Sequence, residues 1–313
     1  MVAANHLGPV PLPESTHPYA VSVSLILGSN IELELSEDEA RLPFADEYTM
    51  RIVKEHSNPR EQAIFLKRVA IHLEAFPSAS EAERAGKLLI LSLLWVAASK
   101  RVTIAFGRWT GAFPFAIRDR TQSAGMSMHG ELRTHFNVKP EEFSSVASEA
   151  YGLGKDVEPN VLTSMEFYAS ARMEVTERAR FIGLMTALEA LAMQRDYGDE
   201  IATLLANLAS QLELAPALAG AEKASLRSSL SSRVKQLRQE SVRQAIIRTL
   251  KQYVADKDIA RFVDEAYGVR SKILHEGLKV AELHALTYRL EDIMRQIYAA
   301  ILGLPLARPI QPM

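Results

Sequence analysis

The spacing of apolar residues changes once along this chain, near Pro159, and that change limits the possible folds more than any other feature. Before it, Tyr19–Leu27 is rich in residues that favour strands, and Ile31–Leu35 alternates strictly between apolar and polar residues, which is typical of a strand with one buried face. After it, apolar residues recur at helical spacing, as in Phe181–Leu191. The sequence therefore predicts an α+β protein, in which a small antiparallel-sheet and helix domain is followed by an all-α helical bundle.

Four segments follow from this division. A chain of 313 residues favours two domains over one, because single cores stop growing at roughly 250 residues. No Gly-rich linker separates the two patterns, so we place the domain boundary at Pro159. We predict a loose Pro-rich arm at 1–17, an α+β domain of unassigned role at 18–158, a helical domain at 159–305 and a C-terminal tail at 306–313.

Local signals predict the secondary structure of each domain. Gly28–Asn30 consists of residue types that are common in turns and lies between two predicted strands. This arrangement predicts a hairpin. Ser78 or Ser80 can cap a helix that runs to about Lys100. Further strands are expected at 48–53, 65–76 and 102–106, with a loop at 107–140. Helices of the second domain are expected at 164–193, 201–214, 225–254, 258–275 and 279–302.

Composition excludes several kinds of functional site. The chain has no cysteine, so it has no disulfide framework, thiolate nucleophile, zinc ribbon or iron–sulfur cluster. Its 8 histidines are scattered, and we expect no metal and no cofactor. A formal net charge of −2 excludes a globally basic coat for nucleic acid but is compatible with a local basic patch. A hydrophobic fraction of 48% excludes wholesale disorder.

No segment has the features of a signal peptide or a membrane span. The first residues, up to Thr16, are Pro-rich and lack a basic region followed by an apolar stretch. The longest apolar stretch, Leu88–Ala98, is well short of the roughly 20 residues needed to cross a bilayer. We therefore expect a cytoplasmic protein with no membrane partner.

One short segment, Tyr267–Gly277, combines polar side chains with a terminal glycine. It holds Arg270 and His275, which are separated by four residues. This spacing alone carries little information, since Arg51 and His56 have it within a predicted strand. The later copy differs in its context, because it follows an amphipathic helix and precedes the last helix of the all-α domain.

With the helix that follows it, this segment resembles the signature of the HEPN superfamily, in particular its ApeA-like branch. That signature is an Arg, four to six residues and a His at the junction into the last helix of a small α-bundle. Arg180–Leu191 is similar to an early helix of that branch, and Phe76–Gly86 is similar more loosely to a helix start upstream. The resemblance covers roughly residues 160–303 well and the first half of the chain loosely.

The resemblance implies a metal-independent endoribonuclease, or a degenerate relative that only binds RNA or nucleotides. Domains of this kind act as homodimers, with two Arg–His pairs facing each other across a shared cleft. Arg270 would stabilise phosphate charge and His275 would act as general acid and base. Ser271, Lys272 and Glu189 would support them. The implied partners are RNA and a second copy of the chain, in a setting of phage defence or growth-arresting toxicity.

The chemistry of these residue types fits RNA cleavage. RNA carries its own nucleophile, the 2′-OH, so cleavage requires no metal in principle. Histidine can move a proton near neutral pH, and arginine stays charged and binds two phosphate oxygens at once. The products would be 2′,3′-cyclic phosphate and 5′-OH ends.

The spacing sets a geometric condition on such a site. Residues five apart on a regular helix point about 140° away from each other. Arg270 and His275 reach one cleft only if the helix ends or distorts between them, or if the site is shared across a two-fold axis.

A basic stretch between Ser225 and Lys251 favours RNA as the partner. Apart from Glu240, its charged residues are all positive. A local positive field attracts phosphate backbones without sequence preference, although charge runs are usually solvated helix faces. The predicted RNA-binding residues are Arg227, Arg233, Lys235, Arg238, Arg243 and Arg248.

Other functions remain open on the sequence alone. One is a non-catalytic module that uses the same helical dimer to hold RNA, a nucleotide or a protein partner. Another is a purely structural dimer, for which the apolar stripe from Val280 to Ile297 would suffice. Basic residues near a helix end also interact favourably with the helix dipole, worth roughly 0.3–1 kcal/mol, without any chemistry. Glu189 is equally compatible with an ordinary helix position beside an apolar stripe.

Overall fold

The computed structural model describes residues 17–28, 35, 39–45, 48–55, 67–107, 113–119, 139–154, 156–277 and 283–307. The chain forms two compact units, one reaching to Val157 and including residues from Leu304 onward, the other spanning Glu158–Gly303. The predicted arm at 1–17 lies almost wholly outside the described residues. Residues 306 and 307 of the predicted tail are described, and the Ala307 N–H donates to Ser99 Oγ at 2.9 Å within the first unit.

The first unit is built on an antiparallel sheet that has six strands in its described part. The strands are β1 Tyr19–Leu27, β2 Glu39–Phe44, β3 Tyr48–Glu55, β4 Lys67–Phe76, β5 Ile104–Phe106 and β6 Ala116–Asp119. Their order is β2-β3-β4-β1-β5, and β6 also pairs with β1. The central strand, β1, pairs with β4 from Tyr19 opposite Phe76 to Leu27 opposite Lys67.

Strand β1 places apolar side chains on one face of this sheet. Its fully buried side chains include Val21, Val23 and Leu25. Helix α1, Ala79–Lys100, contacts β1 and β4. As predicted, Ser78 caps this helix, since its side chain accepts the Glu81 N–H at 3.2 Å. Helix α2, Pro140–Tyr151, packs against α1 and β2.

The second unit has seven α-helices within its described residues. They are α3 Pro159–Arg172, α4 Glu177–Leu191, α5 Asp199–Leu214, α6 Ala224–Gln236, α7 Val242–Tyr253, α8 Ile259–Glu276 and α9 Leu283–Leu302. Helix α4 is central, because it packs against α3, α7, α8 and α9. Its buried side chains include Phe181, Leu184 and Leu188, at the spacing noted in the sequence.

Polar side chains are also buried in this bundle. Ser164 Oγ on α3 donates to the Ala187 carbonyl at 2.6 Å and lies 2.8 Å from the Tyr298 hydroxyl on α9. Burial raises the pKa of Tyr298 well above its usual value. Arg172 and Glu291 form an ion pair whose side chains are 10% and 4% exposed. The contact between α3 and α9 is therefore partly polar.

Helices α5 and α6 form an antiparallel hairpin, residues 196–239, which we call the helical arm. They pack chiefly on each other and on two short 3₁₀ turns between them, Pro216–Leu218 and Ala221–Lys223. An antiparallel bridge between Asp196 and Gln239 closes the base of the arm.

The predicted α+β class is confirmed, but one long predicted helix is wrong. The stretch 164–193 is two helices, interrupted at residues 173–176. Thr176 Oγ1 accepts the Ala179 N–H at 3.2 Å and so starts α4. A capping side chain here outweighs a helical pattern that continues across the break.

The predicted helix at 225–254 is wrong for the same reason. It is interrupted at residues 237–241. Ser241 accepts the Gln244 N–H while the Gln244 side chain accepts the Ser241 N–H, which is a complete capping box at the start of α7.

The predicted loop at 107–140 is wrong in part. It contains β6, whose residues are mostly exposed and show no alternation, and it ends where α2 begins. Strand β2 and helix α2 were not predicted. Residues 31–34 of the predicted hairpin lie outside the described residues. Among the described helices, none is long and apolar enough to span a bilayer.

Candidate functional site

The structure brings two of the predicted site residues into direct contact. Arg270 on α8 donates from Nη2 to Oε2 of Glu189 on α4 at 3.2 Å. The packing of α8 on α4 brings these residues together from distant parts of the sequence. The two side chains are 25% and 21% exposed, so the ion pair is partly shielded from water and stronger than a fully solvated one.

Tyr267 completes this cluster from one turn earlier on α8. Its ring centroid lies 5.6 Å from Cζ of Arg270. Burial raises the pKa of Tyr267, and the Glu189 carboxylate raises it further against the opposing effect of Arg270. The phenol is therefore neutral at about pH 7 and can donate a hydrogen bond. We call Glu189, Tyr267 and Arg270 the arginine cluster.

The arginine cluster has hydrogen-bonding capacity that its neighbours do not use. In the described part of the chain, Glu189 Oε1 and Arg270 Nε are buried without a hydrogen-bond partner. Such atoms are uncommon in folded proteins, because each has lost its solvation without replacement. Arg270 has other N–H groups besides the one that bonds Glu189. The guanidinium is thus held by Glu189, while its Nη1 group makes no hydrogen bond with described residues.

His275 lies apart from this cluster within one chain. It is exposed in the last turn of α8 and makes no hydrogen bond or ion pair with the described residues. The helix continues through Glu276 and ends at Gly277, whose φ of 64° suits glycine and whose N–H bonds the Lys272 carbonyl. Since α8 is unbroken between Arg270 and His275, their side chains leave it about 140° apart.

The two remaining predicted support residues are not part of the arginine cluster. Ser271 and Lys272 are both exposed on α8. Their side chains make no hydrogen bond or ion pair with described residues. Only Glu189, of the three predicted support residues, touches Arg270.

The predicted basic stretch is divided between α6 and α7, and much of its charge is paired. Three of its arginines pair with acidic residues: Arg238 with Asp196, Arg243 with Asp264, and Arg248 with Glu240 of the same stretch. Arg227 instead donates to the Leu218 carbonyl at 3.1 Å. Arg233 and Lys235 are exposed and have no partner among the described residues. The open positive charge is therefore smaller than the sequence suggests.

Sequence reasoning missed Tyr267 as a site residue. The available signal was its position three residues before Arg270, a spacing that places two side chains on one helix face. The described residues contain no group of three or more His, Asp or Glu placed to hold a metal ion.

No family model matches the chain, and no match was found among curated proteins or solved structures.

Proposed function

We propose that this protein is an endoribonuclease of the HEPN type, which cleaves RNA by attack of a 2′-OH on the neighbouring phosphorus. The observation that carries the proposal is the arginine cluster, in which Glu189 holds Arg270 at 3.2 Å while the Nη1 group of the guanidinium makes no hydrogen bond with described residues. A cation fixed in this way stabilises charge that develops on phosphoryl oxygens without reorganising during the reaction. Histidine is suited to proton transfer near neutral pH, and His275 is exposed on the same helix.

In the proposed reaction, His275 removes the proton from the 2′-OH, and the 2′ oxygen attacks phosphorus. The bond between phosphorus and O5′ breaks, and O5′ takes a proton from a second histidine in its protonated form. Arg270 binds the non-bridging phosphoryl oxygens, where negative charge increases in the transition state. The products are a 2′,3′-cyclic phosphate and a 5′-OH end.

The proposal requires two copies of the chain at one site. Within one chain, Arg270 and His275 leave α8 about 140° apart, so one chain alone does not assemble both groups. A two-fold axis beside α8 would bring His275 of one copy to the arginine cluster of the other, and it would supply the second histidine. The exposed Lys235 and Lys251 would add non-specific attraction for the RNA backbone. An RNA substrate implies a cytoplasmic enzyme.

A second candidate function is a non-catalytic module that holds RNA, a nucleotide or a protein partner on the arginine cluster. The separation of His275 from Arg270 in one chain favours this candidate. A fixed guanidinium without a nearby base can bind a phosphate but cannot move a proton.

Incubation of the full chain with end-labelled single-stranded RNA in EDTA tests the proposal. We expect fragments that end in 2′,3′-cyclic phosphate, and no cleavage of an RNA whose 2′-OH groups are replaced by hydrogen. Arg270→Ala and His275→Ala should each lower the cleavage rate by about 100-fold or more. Matched controls are Arg261→Ala and His284→Ala, which remove exposed residues of the same types outside the cluster and should leave the rate unchanged.

Two results would contradict the enzymatic proposal. One is cleavage at the wild-type rate in both Arg270→Ala and His275→Ala. The other is RNA binding that depends on Arg270 without any cleavage by the wild-type chain, which would establish the second candidate instead.

A further inference from the structure

Helix α5 of the helical arm is apolar over more of its circumference than α6 covers. Leu205 and Ala209 are buried, and α6 is the main neighbour of this helix. Ile201, Leu204 and Leu208 form a second stripe, with 38%, 54% and 42% of each residue exposed. At about 100° per residue, this stripe lies about 90° from the buried face. An apolar helix face of this kind is normally buried against another element.

Helix α6 carries a matching stripe. Leu226 and Leu237 are exposed and Leu230 is half-buried, and the three positions lie within about 40° of one another around the helix. They lie about 100–140° around the helix from Ser231, whose hydroxyl donates to Glu213 on α5 at 3.0 Å.

Viewed from the N-terminus of each helix, the rotation from the contact side to the apolar stripe has the same direction. In two antiparallel helices, this puts them on the same side of the hairpin. The helical arm therefore has one continuous apolar side, which we call the arm face. Its members are Ile201, Leu204, Leu208, Leu226, Leu230 and Leu237.

The two helices of the arm carry opposite charge. Helix α5 contains Asp199, Glu200 and Glu213 and no Lys or Arg, whereas α6 contains Arg227, Arg233 and Lys235 and no Asp or Glu. Opposite charges on the two halves of one apolar surface make that surface complementary to itself.

We propose that the arm face docks on the arm face of a second copy of this chain, forming a four-helix bundle across a two-fold axis. A two-fold axis parallel to the helices of the arm places the acidic helix α5 of each copy against the basic helix α6 of the other. An axis across the arm would instead set α5 against α5 and place acidic residues together. Charge complementarity therefore selects the first arrangement.

One cross-copy ion pair follows from this arrangement. Glu200 borders the α5 stripe and Arg233 borders the α6 stripe, and neither has a charged partner among the described residues. Glu200 follows Asp196 of the closing bridge by four residues, and Arg233 precedes Gln239 by six, so they lie at nearly the same height on the arm. Glu200 of each copy should therefore pair with Arg233 of the other.

The size of the arm face predicts a dimer of moderate affinity. A helix of 16 residues is about 24 Å long, and two helices side by side are about 20 Å wide, which gives about 500 Å² per copy. The total of about 1,000 Å² is at the lower end of specific interfaces, so the dimer should form at micromolar concentrations. The proposed reaction also requires two copies of the chain, in contact beside α8, so the mass alone does not identify the contact. Substitutions on the arm face test this docking separately from the proposed activity.

Analytical ultracentrifugation of the full chain over about 1–100 μM tests this proposal. We expect a concentration-dependent dimer of twice the 34.7 kDa chain mass. Leu204→Glu should raise the dimer dissociation constant by about 100-fold or more, because each copy then places a carboxylate in the apolar contact. Val175→Glu adds the same charge at a position that is 98% exposed outside the arm and should leave the dissociation constant unchanged.

Charge-reversal variants provide a second test of the contact in case Leu204→Glu unfolds the arm. Glu200→Arg and Arg233→Glu should each weaken the dimer by about 10-fold, and the double variant should restore it. A wild-type chain that stays monomeric up to about 100 μM overturns the proposal. It is equally overturned by a dimer that survives Leu204→Glu unchanged or by charge reversals that neither weaken the dimer nor compensate each other.

Discussion

Glu189, near the end of α4, holds Arg270 of α8 at 3.2 Å, and the two residues are 81 positions apart in the sequence. This ion pair links the central helix of the bundle to the helix that carries both proposed reactive residues. It limits the directions that the Arg270 side chain can take. In the proposed reaction, a cation positioned in advance is the condition for electrostatic stabilisation of the transition state.

Replacement of Glu189 by Gln should raise the activation free energy of RNA cleavage by more than it lowers the free energy of unfolding. The amide keeps the size of the side chain but loses the charge that holds Arg270, so we expect a decrease of about 10-fold to 100-fold in kcat/KM. The matched control is Glu265→Gln, at an exposed position of α8. Equal cleavage rates for Glu189→Gln and the wild-type chain would show that the ion pair does not position Arg270 for catalysis.

The ion pair between Arg172 and Glu291 should be critical for the stability of the second unit. Glu291→Gln replaces the buried carboxylate that faces Arg172 with a neutral amide, so we expect a loss of about 3 kcal/mol in the free energy of unfolding. Urea unfolding followed by far-UV circular dichroism measures this loss.

The matching comparison is Asp264→Asn, which breaks a pair whose side chains are 51% and 44% exposed and should cost less than about 1 kcal/mol. If both substitutions cost the same, burial does not govern the strength of these pairs. The double variant Arg172→Met with Glu291→Leu should recover much of the lost stability, because it removes both charges.

Acidification should destabilise the first unit through His72. Burial, followed by the charges of Arg51 and Arg118, lowers the pKa of His72 to about 4. In the unfolded chain the imidazole takes up its proton near pH 6.5, so below that pH the unfolded state binds more protons than the folded state. Stability is therefore complete above about pH 6.5 and decreases as the pH falls towards about 4.

Tryptophan fluorescence follows this unit, because Trp95 is buried in α1 and the sequence of the second unit contains no tryptophan. Between about pH 7 and pH 5 we expect a loss of up to about 2 kcal/mol in the free energy of unfolding that can be assigned to His72. His72→Gln should remove that part of the pH dependence, whereas His275→Gln, which changes an exposed residue of the second unit, should not. An unchanged pH profile in His72→Gln would rule out this assignment.

Loss of the capping box at the start of α7 should destabilise the second unit modestly. Ser241→Ala removes the acceptor of the Gln244 N–H, so we expect a cost of about 1 kcal/mol in urea unfolding. Ser229→Ala, at an exposed position inside α6, is the control and should cost less than about 0.5 kcal/mol. A cost for Ser241→Ala no larger than that of the control would mean that the capping box does not stabilise the break between α6 and α7.

Many individual elements were predictable because their signals are local. Tyr19–Leu27 is rich enough in strand-favouring residues to predict a strand, and Ser78 caps α1 as expected. The predicted helices at 201–214 and 258–275 correspond closely to α5 and α8. Gly277 follows the last residue of α8, as expected of a glycine placed where a helix commonly ends. Each of these features depends on residues within a few positions of one another.

Prediction of secondary structure from local sequence patterns failed where two signals competed, or where the stabilising contact comes from a distant part of the sequence. The breaks before Glu177 and Val242 were hidden because apolar residues continue at helical spacing across them, while a single capping residue decides the outcome. Strand β6 was hidden because its exposed residues have no alternation, and its pairing with β1 alone defines it.

The residue types and spacing near Arg270 and His275 were visible in the chain from the start, but their surroundings were not. Packing of α8 on α4 decided that Glu189 and Tyr267 surround Arg270 while His275 faces solvent. Packing likewise paired Arg238, Arg243 and Arg248 of the basic stretch with acidic residues. Short-range periodicity specifies which face of a helix is apolar. Contacts between distant segments specify which side chains meet there, because no local pattern records which helices become neighbours.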